Sequence, residues 1–237
     1  MIFSATLDRD VGEVLLAKNA EKQKSRVSSG KLSASALGSP IQWQVLKHLG
    51  VPRKEIDEYT VRKFLRGNQI EDWFVGQIKN VVEKQKFVEY RNTLGYIDAI
   101  VDTKDWDTNK GIIPVEIKSV TNMKFKRILK EKLPQRGHRL QACLYALALG
   151  SEWFAISYVA SDDLRVETML MQTKDSKDEI DGIITTYDEA IKNKIIPQFE
   201  AIEKWQGDKL YSNYPDWQEL TKEELVEKAK ELFKKEN

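Results

Sequence analysis

Glu116 and Lys118 stand two residues apart in an apolar run rich in β-branched residues, IIPVEIKSV (112–120). Such a run favours a β-strand, and the two-residue period of a strand places both charged side chains on one face, about 7 Å apart. Two other acid-x-lysine matches, at 102–104 and 175–177, lie outside such runs. Their context therefore selects Glu116 and Lys118 as the pair best placed to do chemistry.

Asp98 lies among apolar residues in the preceding run, GYIDAIVD (95–102). The segment between the two runs, KDWDTNKG, has the Asp, Asn and Gly residues of a hairpin turn. Hairpin pairing would bring Asp98 next to Glu116, with Cβ atoms about 5 Å apart if the residues are directly opposite. Two buried carboxylates repel each other unless a cation lies between them, so the pair predicts an oxygen-bound Mg²⁺ or Mn²⁺ ion. Such an ion can activate a bound water for attack on a phosphodiester, which Lys118 would assist.

A third group of polar residues lies in the apolar segment HRLQACLYALAL (138–149). The segment predicts a largely buried helix that ends at Gly150, yet His138, Gln141 and Tyr145 recur at spacings of three and four and share one stripe. A polar stripe on a buried helix needs partners, and the predicted metal site would provide them.

Positive charge is concentrated in the segment that begins at Lys118, at the end of the predicted strand 112–120. Residues 118–139 carry eight cations and one acid, a net +7 in a chain of formal net charge +1. Such a patch favours a polyanion such as DNA, although a solvated, lysine-rich helix and loop would have the same composition. The residues of this stretch that we predict to contact DNA are Lys124, Lys126, Arg127, Lys130, Arg136, His138 and Arg139.

The composition excludes several classes of protein. The chain has 237 residues, of which 41% are hydrophobic and 32% charged, as in a soluble globular protein. No apolar run approaches the ~20 residues that span a bilayer, and the N-terminus lacks a signal-peptide pattern, so a cytoplasmic location is expected and no membrane partner. The only cysteine, Cys143, excludes an internal disulfide, a cysteine zinc site and a four-cysteine iron–sulfur cluster.

The elements that must position these residues follow a pattern of helices, a mixed sheet and further helices, without an internal repeat. We expect one α/β domain with a lead and basic loop (1–36), a helical region (37–86), a catalytic sheet and motif helix (87–173) and C-terminal helices (174–237). Within it we predict a loop over 17–36, a helix capped by Ser39, a helical stretch over about 55–86 broken near Gly67, and a helix over about 174–205. Trp43, Tyr59 and Trp73 fall at the spacing of helical core residues.

The motifs occur in a recognisable order: Gly95-x-x-Asp98, Glu116-x-Lys118 and Gln141-x-x-x-Tyr145. This order resembles the RecB-type branch of the PD-(D/E)XK nuclease superfamily, which includes the CRISPR-associated RecB-like exonucleases and related phage exonucleases. The resemblance covers about residues 33–173. It implies a PD-(D/E)XK core, in which a mixed central β-sheet is flanked by helices, and a metal-dependent DNase acting on single-stranded DNA or DNA ends.

The resemblance also implies roles for individual residues. Asp98 and Glu116 would bind Mg²⁺ or Mn²⁺, helped by the Ile117 carbonyl, and Lys118 would be the catalytic lysine. The resemblance further implies that Gln141 would orient that lysine or the scissile phosphate, and that Tyr145 would line the path of the DNA.

The chain departs from the family pattern in two places. Many relatives have a histidine on the first long helix as a further metal ligand, but RGNQIEDWF has none, and Glu71 is the candidate replacement, ahead of Asp72. Many CRISPR-associated members hold an iron–sulfur cluster, but Ser39 and Pro40 stand near the first expected cysteine and GDKLYSNYPDW has none of the later ones. We therefore expect no cluster, which argues against a role in CRISPR adaptation.

Three functions remain compatible with these residues. The first is a nuclease, cytoplasmic or phage-encoded, that serves recombination, repair or phage DNA metabolism, with a possible recombination or replication protein as partner. The second is a non-catalytic DNA-binding or assembly subunit that keeps the nuclease fold. The third is a restriction-type endonuclease, for which 237 residues leave little room for a recognition domain.

Overall fold

The computed structural model describes residues 5–24 and 30–234, without the side chains of 5–10 and 22–24. Within these residues the helices are α1 (Ala5–Lys24), α2 (Ile41–His48), α3 (Glu58–Val75), α4 (Asn122–Glu131), α5 (Arg136–Leu149), α6 (Lys177–Lys192) and α7 (Lys222–Lys234). The strands are β1 (Leu32–Ser33), β2 (Val81–Tyr90), β3 (Thr93–Asp102), β4 (Ile112–Val120), β5 (Trp153–Ala160) and β6 (Val166–Gln172). None of the described helices is both long and apolar enough to cross a membrane.

The strands form one mixed sheet in the order β1-β3-β4-β5-β6, with β2 paired to β3. Strand β2 is antiparallel to β3 along nearly all of its length, while β1 and β4 pair with different ends of β3. Strands β4 and β5 are parallel, and β5 and β6 are antiparallel. The predicted α/β fold with a mixed central sheet flanked by helices is therefore confirmed.

Two hydrophobic clusters cover the two faces of this sheet. The larger joins buried residues of α2, α4, α5, α6 and α7 to strands β3 and β5. The smaller joins α3, through Ile70 and Val75, to alternate residues of β3 and β4 such as Val101 and Ile113. The sheet thus separates α3 from α5, which leaves β3 and β4 between two helices.

Helix α5 is the centre of the larger cluster. Every residue from Leu140 to Ala146 is buried, and the helix ends at Gly150, whose φ of +67° suits a left-handed C-cap. Cys143 is among the buried residues, its thiol donates to the Thr173 carbonyl, and burial raises the pKa of the thiol to about 12. The predicted buried helix is confirmed, and its cysteine lies in the core.

Three predicted boundaries were wrong. Helix α1 extends to Lys24 in the stretch predicted as a loop, because Ala, Glu, Lys and Gln dominate AKNAEKQK and all favour helix. Helix α3 passes through Gly67 without a break and ends at Val75, and residues 81–86 belong to β2. Helix α6 ends at Lys192, shortly before Lys194 adopts a φ of +55°.

Local details differ as well. Pro40, not Ser39, is the N-cap of α2, and no side chain caps that helix. Trp43 is buried as predicted, but Tyr59 and Trp73 are 67% and 40% exposed. The helical spacing placed them correctly on α3, but only the assembled sheet decides which stripe of that helix is covered.

Two glycines bring the turn after β1 against the start of α5. A Cβ on Gly38 would lie 2.5 Å from the Cα atom of Gly137, so any side chain there would meet backbone. The carbonyl of Gly38 also accepts a 2.8 Å hydrogen bond from Gln206. This close approach holds the 33–39 segment beside the helix that carries Gln141.

We expect Gly38→Ala to destabilise the fold by about 1–3 kcal/mol, the usual cost of overpacking, because neither backbone can move away freely. Urea denaturation measures the change. Gly182→Ala is the matched control: nothing lies within 4 Å of its new Cβ inside α6, so it should stabilise the protein by about 0.5–1 kcal/mol. Equal effects of the two substitutions would contradict the close contact.

Candidate active site

The site lies where β3 and β4 stop pairing. Their ladder runs from Asp102 with Ile112 to Ala99 with Val115, and the same register would next place Asp98 opposite Glu116. In place of a further ladder bond, the Asp98 carboxylate accepts a 2.7 Å hydrogen bond from the Ile117 amide. The Asp98 side chain therefore closes the end of the ladder next to Glu116, where the hairpin pattern predicted it.

Glu116 is fully buried, and the Lys118 ammonium group forms an ion pair with its Oε1 atom. Apart from Lys118, no donor in the part of the chain that the structure describes reaches either carboxylate oxygen of Glu116. Burial raises the pKa of Glu116 to about 8, with a contribution from Asp98, although Lys118 opposes the shift. The carboxylate is thus held in an environment that favours a cation.

Lys118 stays positively charged in this environment. Burial acts to lower its pKa, but the negative charges of Glu116 and Asp98 outweigh that effect, and the net shift is upward. Its side chain is 27% exposed, so the ammonium group reaches the solvent side of the site while Glu116 does not. Lys118 is therefore suited to stabilise negative charge and unsuited to accept a proton at neutral pH.

Glu71 reaches the same place from α3, on the opposite layer. Burial and the charge of Asp98 raise the pKa of Glu71 to about 7, and burial likewise raises the pKa of Asp98. Gln85 of β2 donates a 2.8 Å hydrogen bond to Glu71. Asp72 is exposed, so of the two candidate acids the structure brings Glu71 to the site.

Gln85 is a site residue that the sequence did not indicate. Its φ is +49°, and the β2–β3 pairing skips it, since Lys84 and Lys86 pair with Ala99 and Ile97. The irregularity turns Gln85 towards Glu71 directly across from Asp98. The sequence did not indicate this glutamine, because it falls in the stretch of about 55–86 that was predicted to be helical.

Gln141 and Tyr145 lie beneath the site on α5. Gln141 donates a 2.9 Å hydrogen bond to the Tyr145 hydroxyl, and Tyr145 is 2% exposed. A Cβ on Gly95 would lie 2.4 Å from the Tyr145 ring, which explains the glycine in the first motif. The structure therefore places Tyr145 under the sheet and not along an exposed DNA path, whereas Gln141 borders the open cleft.

A cleft of about 880 Å³ opens onto Glu71, Lys118 and Gln141. Its walls come from α1, α3, the end of β4 and the starts of α4 and α5. Apart from Glu71, the charged residues that line it are all cations: Lys18, Lys63, Arg66, Lys118 and Lys124. Three of these cations come from α1 and α3, far from the basic segment in sequence, and only the tertiary fold brings them together.

The basic segment itself is divided among several surfaces. Lys124 lines the cleft, but Lys126, Arg127 and Lys130 do not, and Arg127 pairs with Glu131 at 2.9 Å. Arg136 and Arg139 both bind Glu179 of α6, at 2.6 and 2.8 Å. The structure therefore does not gather the predicted DNA-binding cations on one surface.

His138 lines the cleft, with its Nδ1 atom 3.2 Å from the Tyr158 hydroxyl. Burial lowers the pKa of this histidine to about 3, and Lys118 and Lys124 add to the effect. His138 is therefore neutral at physiological pH, and it offers a hydrogen bond in the cleft and no positive charge.

The chemistry of these residues fits a divalent cation. No three His, Cys, Asp or Glu side chains in residues 5–24 and 30–234 form a ready-made metal cage. Asp98 and Glu71 instead bind the Ile117 amide and the Gln85 side chain, and Glu116 contacts Lys118. Yet the two Glu116 oxygens are buried, with no described donor other than Lys118, and hard divalent ions prefer carboxylate oxygens.

Comparison with known proteins shows the class of fold. No protein-family model matches the chain, and no curated protein sequence does. The alkaline exonuclease LHK-Exo from Laribacter hongkongensis has a similar structure, with a TM-score of 0.51 and 16% identity over 70% of this chain and 89% of that one. Its complex with dAMP gives a TM-score of 0.53 and 14% identity over the same shares of the two chains.

The protein SSO0001 is also similar, with a TM-score of 0.52 and 17% identity over 89% of this chain and 98% of that one. At these identities the likeness establishes a nuclease-like fold. The likeness concerns the fold alone, and no family match in sequence accompanies it.

The raised pKa of Glu116 predicts how stability depends on pH in the metal-free protein. Between pH 4.5 and 8 the Glu116 carboxyl group keeps its proton in the folded state, whereas it is ionised in the unfolded chain, where its pKa is 4.5. The free energy of unfolding should therefore fall as pH rises from 4.5 to 8. Glu116→Gln should make this fall shallower, by up to about 1.4 kcal/mol per pH unit. Urea denaturation in EDTA at pH 5, 6, 7 and 8 measures it.

The matched control is Asp72→Asn, which changes an exposed acid next to Glu71 and should leave the pH dependence as in the wild type. The same slope in Glu116→Gln and in the wild type would show that Glu116 is not buried as a carboxyl group.

Proposed function

We propose that the protein is a metal-dependent DNA nuclease that hydrolyses phosphodiester bonds, with single-stranded DNA or DNA ends as substrate. The observation that carries the proposal is the buried Glu116 carboxylate, which lies next to Asp98 and pairs with Lys118, a residue that lines a cleft rich in cations. The exonuclease fold of LHK-Exo, and the dAMP in one of its structures, support a DNA substrate.

Asp98, Glu116 and Glu71, with the Ile117 carbonyl, would hold Mg²⁺ or Mn²⁺. The bound ion would polarise the scissile phosphate and lower the pKa of a water molecule. Binding would draw the Glu71 and Asp98 carboxylates from their present hydrogen bonds. It would also relieve the mutual repulsion that now raises the pKa of Glu71.

Lys118 would act on the reacting atoms as a cation. Its raised pKa keeps it protonated, so it would donate hydrogen bonds to the attacking water or to a phosphate oxygen as negative charge develops. Water adds to phosphorus, the bond from phosphorus to the leaving oxygen of the sugar breaks, and the proton that the water loses ends, through solvent, on that oxygen. Gln141, fixed by Tyr145, would orient Lys118 or the phosphate from the floor of the cleft.

The cations of the cleft walls would guide the DNA strand to this site. Lys18, Arg66 and Lys124 make no ion pair with the residues that the structure describes, so their charges are available to phosphates. Contacts of this kind give affinity without sequence preference. The cellular setting we propose is recombination, repair or phage DNA metabolism, with a recombination or replication protein as possible partner.

A non-catalytic DNA-binding subunit is the second candidate, and one observation favours it. The acidic side chains do not form a metal cage in their present orientations among the described residues. Salt-sensitive DNA binding without cleavage under any divalent ion would select this function over the first.

The nuclease proposal predicts metal-dependent cleavage that requires the buried acid and the lysine. Oligonucleotides labelled at the 5′ or 3′ end, single- or double-stranded, are incubated with Mg²⁺ or Mn²⁺, and product lengths are followed in time. Glu116→Gln and Lys118→Met should each reduce the cleavage rate at least about a hundredfold, the scale typical of lost electrostatic stabilisation. EDTA should abolish cleavage.

Glu71→Gln and Asp72→Asn form a matched pair on neighbouring positions of α3. The first removes a carboxylate of the site and should slow cleavage, whereas the second removes an exposed one and should not. Wild-type activity in Glu116→Gln and Lys118→Met would refute the proposal.

The position of the cleft predicts which cations bind DNA. Arg66→Ala and Lys18→Ala should weaken binding of single-stranded DNA, and each should reduce the slope of log affinity against log salt by about 0.7. Fluorescence anisotropy between 50 and 300 mM salt measures both. Arg127→Ala, which removes a cation paired with Glu131 outside the cleft, is the control and should keep the wild-type slope. If Arg127→Ala alone weakened DNA binding and reduced the slope, the result would contradict this path for the DNA.

A further inference from the structure

Two aromatic residues on the β2–β3 hairpin remain outside the site described so far. Phe87 and Tyr96 are directly paired across the two strands, with ring centroids 5.3 Å apart and planes at 60°. Each is more than half exposed, at 51% and 58%. The neighbouring pair, Val88 and Gly95, faces the opposite way, towards the core around α5.

A structural role accounts for only part of this arrangement. An aromatic cross-strand pair stabilises a hairpin by about 0.2–1 kcal/mol, but about half of the surface of each residue here stays exposed. These strands are long and well paired, and β3 is held on its other edge by β1 and β4. Exposed aromatic surface beside a functional site is typical of a binding surface.

The position of the pair links it to the candidate active site. Tyr96 lies two residues before Asp98, and Phe87 two residues after Gln85, the donor to Glu71. Two residues of a strand span about 7 Å, which is close to the step of one nucleotide in an extended DNA strand. A strand whose phosphate lies at Asp98 therefore has a neighbouring base within reach of both rings.

We propose that Phe87 and Tyr96 form a stacking platform for an unpaired base next to the scissile phosphate. The inference rests on the proposed function, since it takes DNA as the ligand, and it names the part of DNA that is bound. The ligand class is the π-face of a nucleobase, which all four bases share, so the platform accepts any sequence. Bases within a duplex are already stacked on their neighbours, so the platform favours single-stranded DNA or frayed ends.

The platform is tested by binding and by crosslinking, both in EDTA so that no cleavage is needed. Phe87→Leu and Tyr96→Leu keep an apolar side chain and remove the ring; each should weaken single-stranded DNA binding on the order of tenfold. Phe87→Tyr and Tyr96→Phe keep a ring and should bind as the wild type. Val82→Ala, which trims an exposed apolar side chain on the same strand, is the matched control and should also bind as the wild type.

Crosslinking locates the contact directly. An oligonucleotide with one 5-iodouracil is irradiated in complex with the wild-type protein, and crosslinked peptides are mapped by mass spectrometry. The expected crosslinks lie at Phe87 or Tyr96, and the matching leucine variants should lose them. Thermal denaturation of each variant establishes that it is folded, and Tyr96→Leu or Phe87→Leu alone suffices if the other does not fold.

The outcomes separate this inference from the proposed nuclease. If the leucine variants bind as tightly as the wild type, or all crosslinks lie elsewhere, the platform is refuted even when the wild type cleaves DNA. If the platform crosslinks as expected but no divalent ion supports cleavage, the nuclease is refuted and the platform stands. A wild-type protein that does not bind DNA refutes both.

Discussion

A carboxylate buried between two strands that have stopped pairing determines much of what surrounds it. Removing the charge of Glu116 from water costs several kcal/mol, and apart from Lys118 no hydrogen-bond donor in the described chain reaches its two oxygens. The Lys118 ammonium group offsets part of that cost and keeps its own charge by doing so. An arrangement of this kind is retained for a cation or a reaction more readily than for stability, since an apolar residue would fill the same space at less cost.

The two layers around the sheet contribute different parts of the site. Below the sheet, α5 supplies Gln141 and Tyr145, and the tight contact between the Tyr145 ring and Gly95 fixes the height of that helix against β3. On the other side, α3 supplies Glu71, which the irregular residue Gln85 holds in place. Two acids of the site thus come from the strands, and the third comes from a helix on the other layer.

Charge in this protein is arranged by the fold more than by the sequence. In the basic segment after β4, Arg136 and Arg139 form ion pairs with Glu179 and so connect α5 to α6. Lys18 of α1 and Arg66 of α3 contribute positive charge to the cleft instead. A cleft with cations on several walls can follow a phosphate backbone, which a single basic helix cannot enclose.

Some of these features follow from the sequence alone. The β-branched run around Glu116 and the apolar run around Asp98 predicted two strands, and the unbroken apolar segment from Leu140 predicted a buried helix, because residue type and local periodicity indicate the kind of element. The order of the motifs was enough to expect the nuclease-like fold. Gln85, Lys18 and Arg66 could not be predicted, since their roles depend on a strand irregularity and on contacts between elements far apart in the chain. Which cations face the cleft, and which bind Glu179, is decided only when α1, α3 and α6 pack against the sheet, because a side chain's partners are set by distance in space and not by its neighbours in sequence.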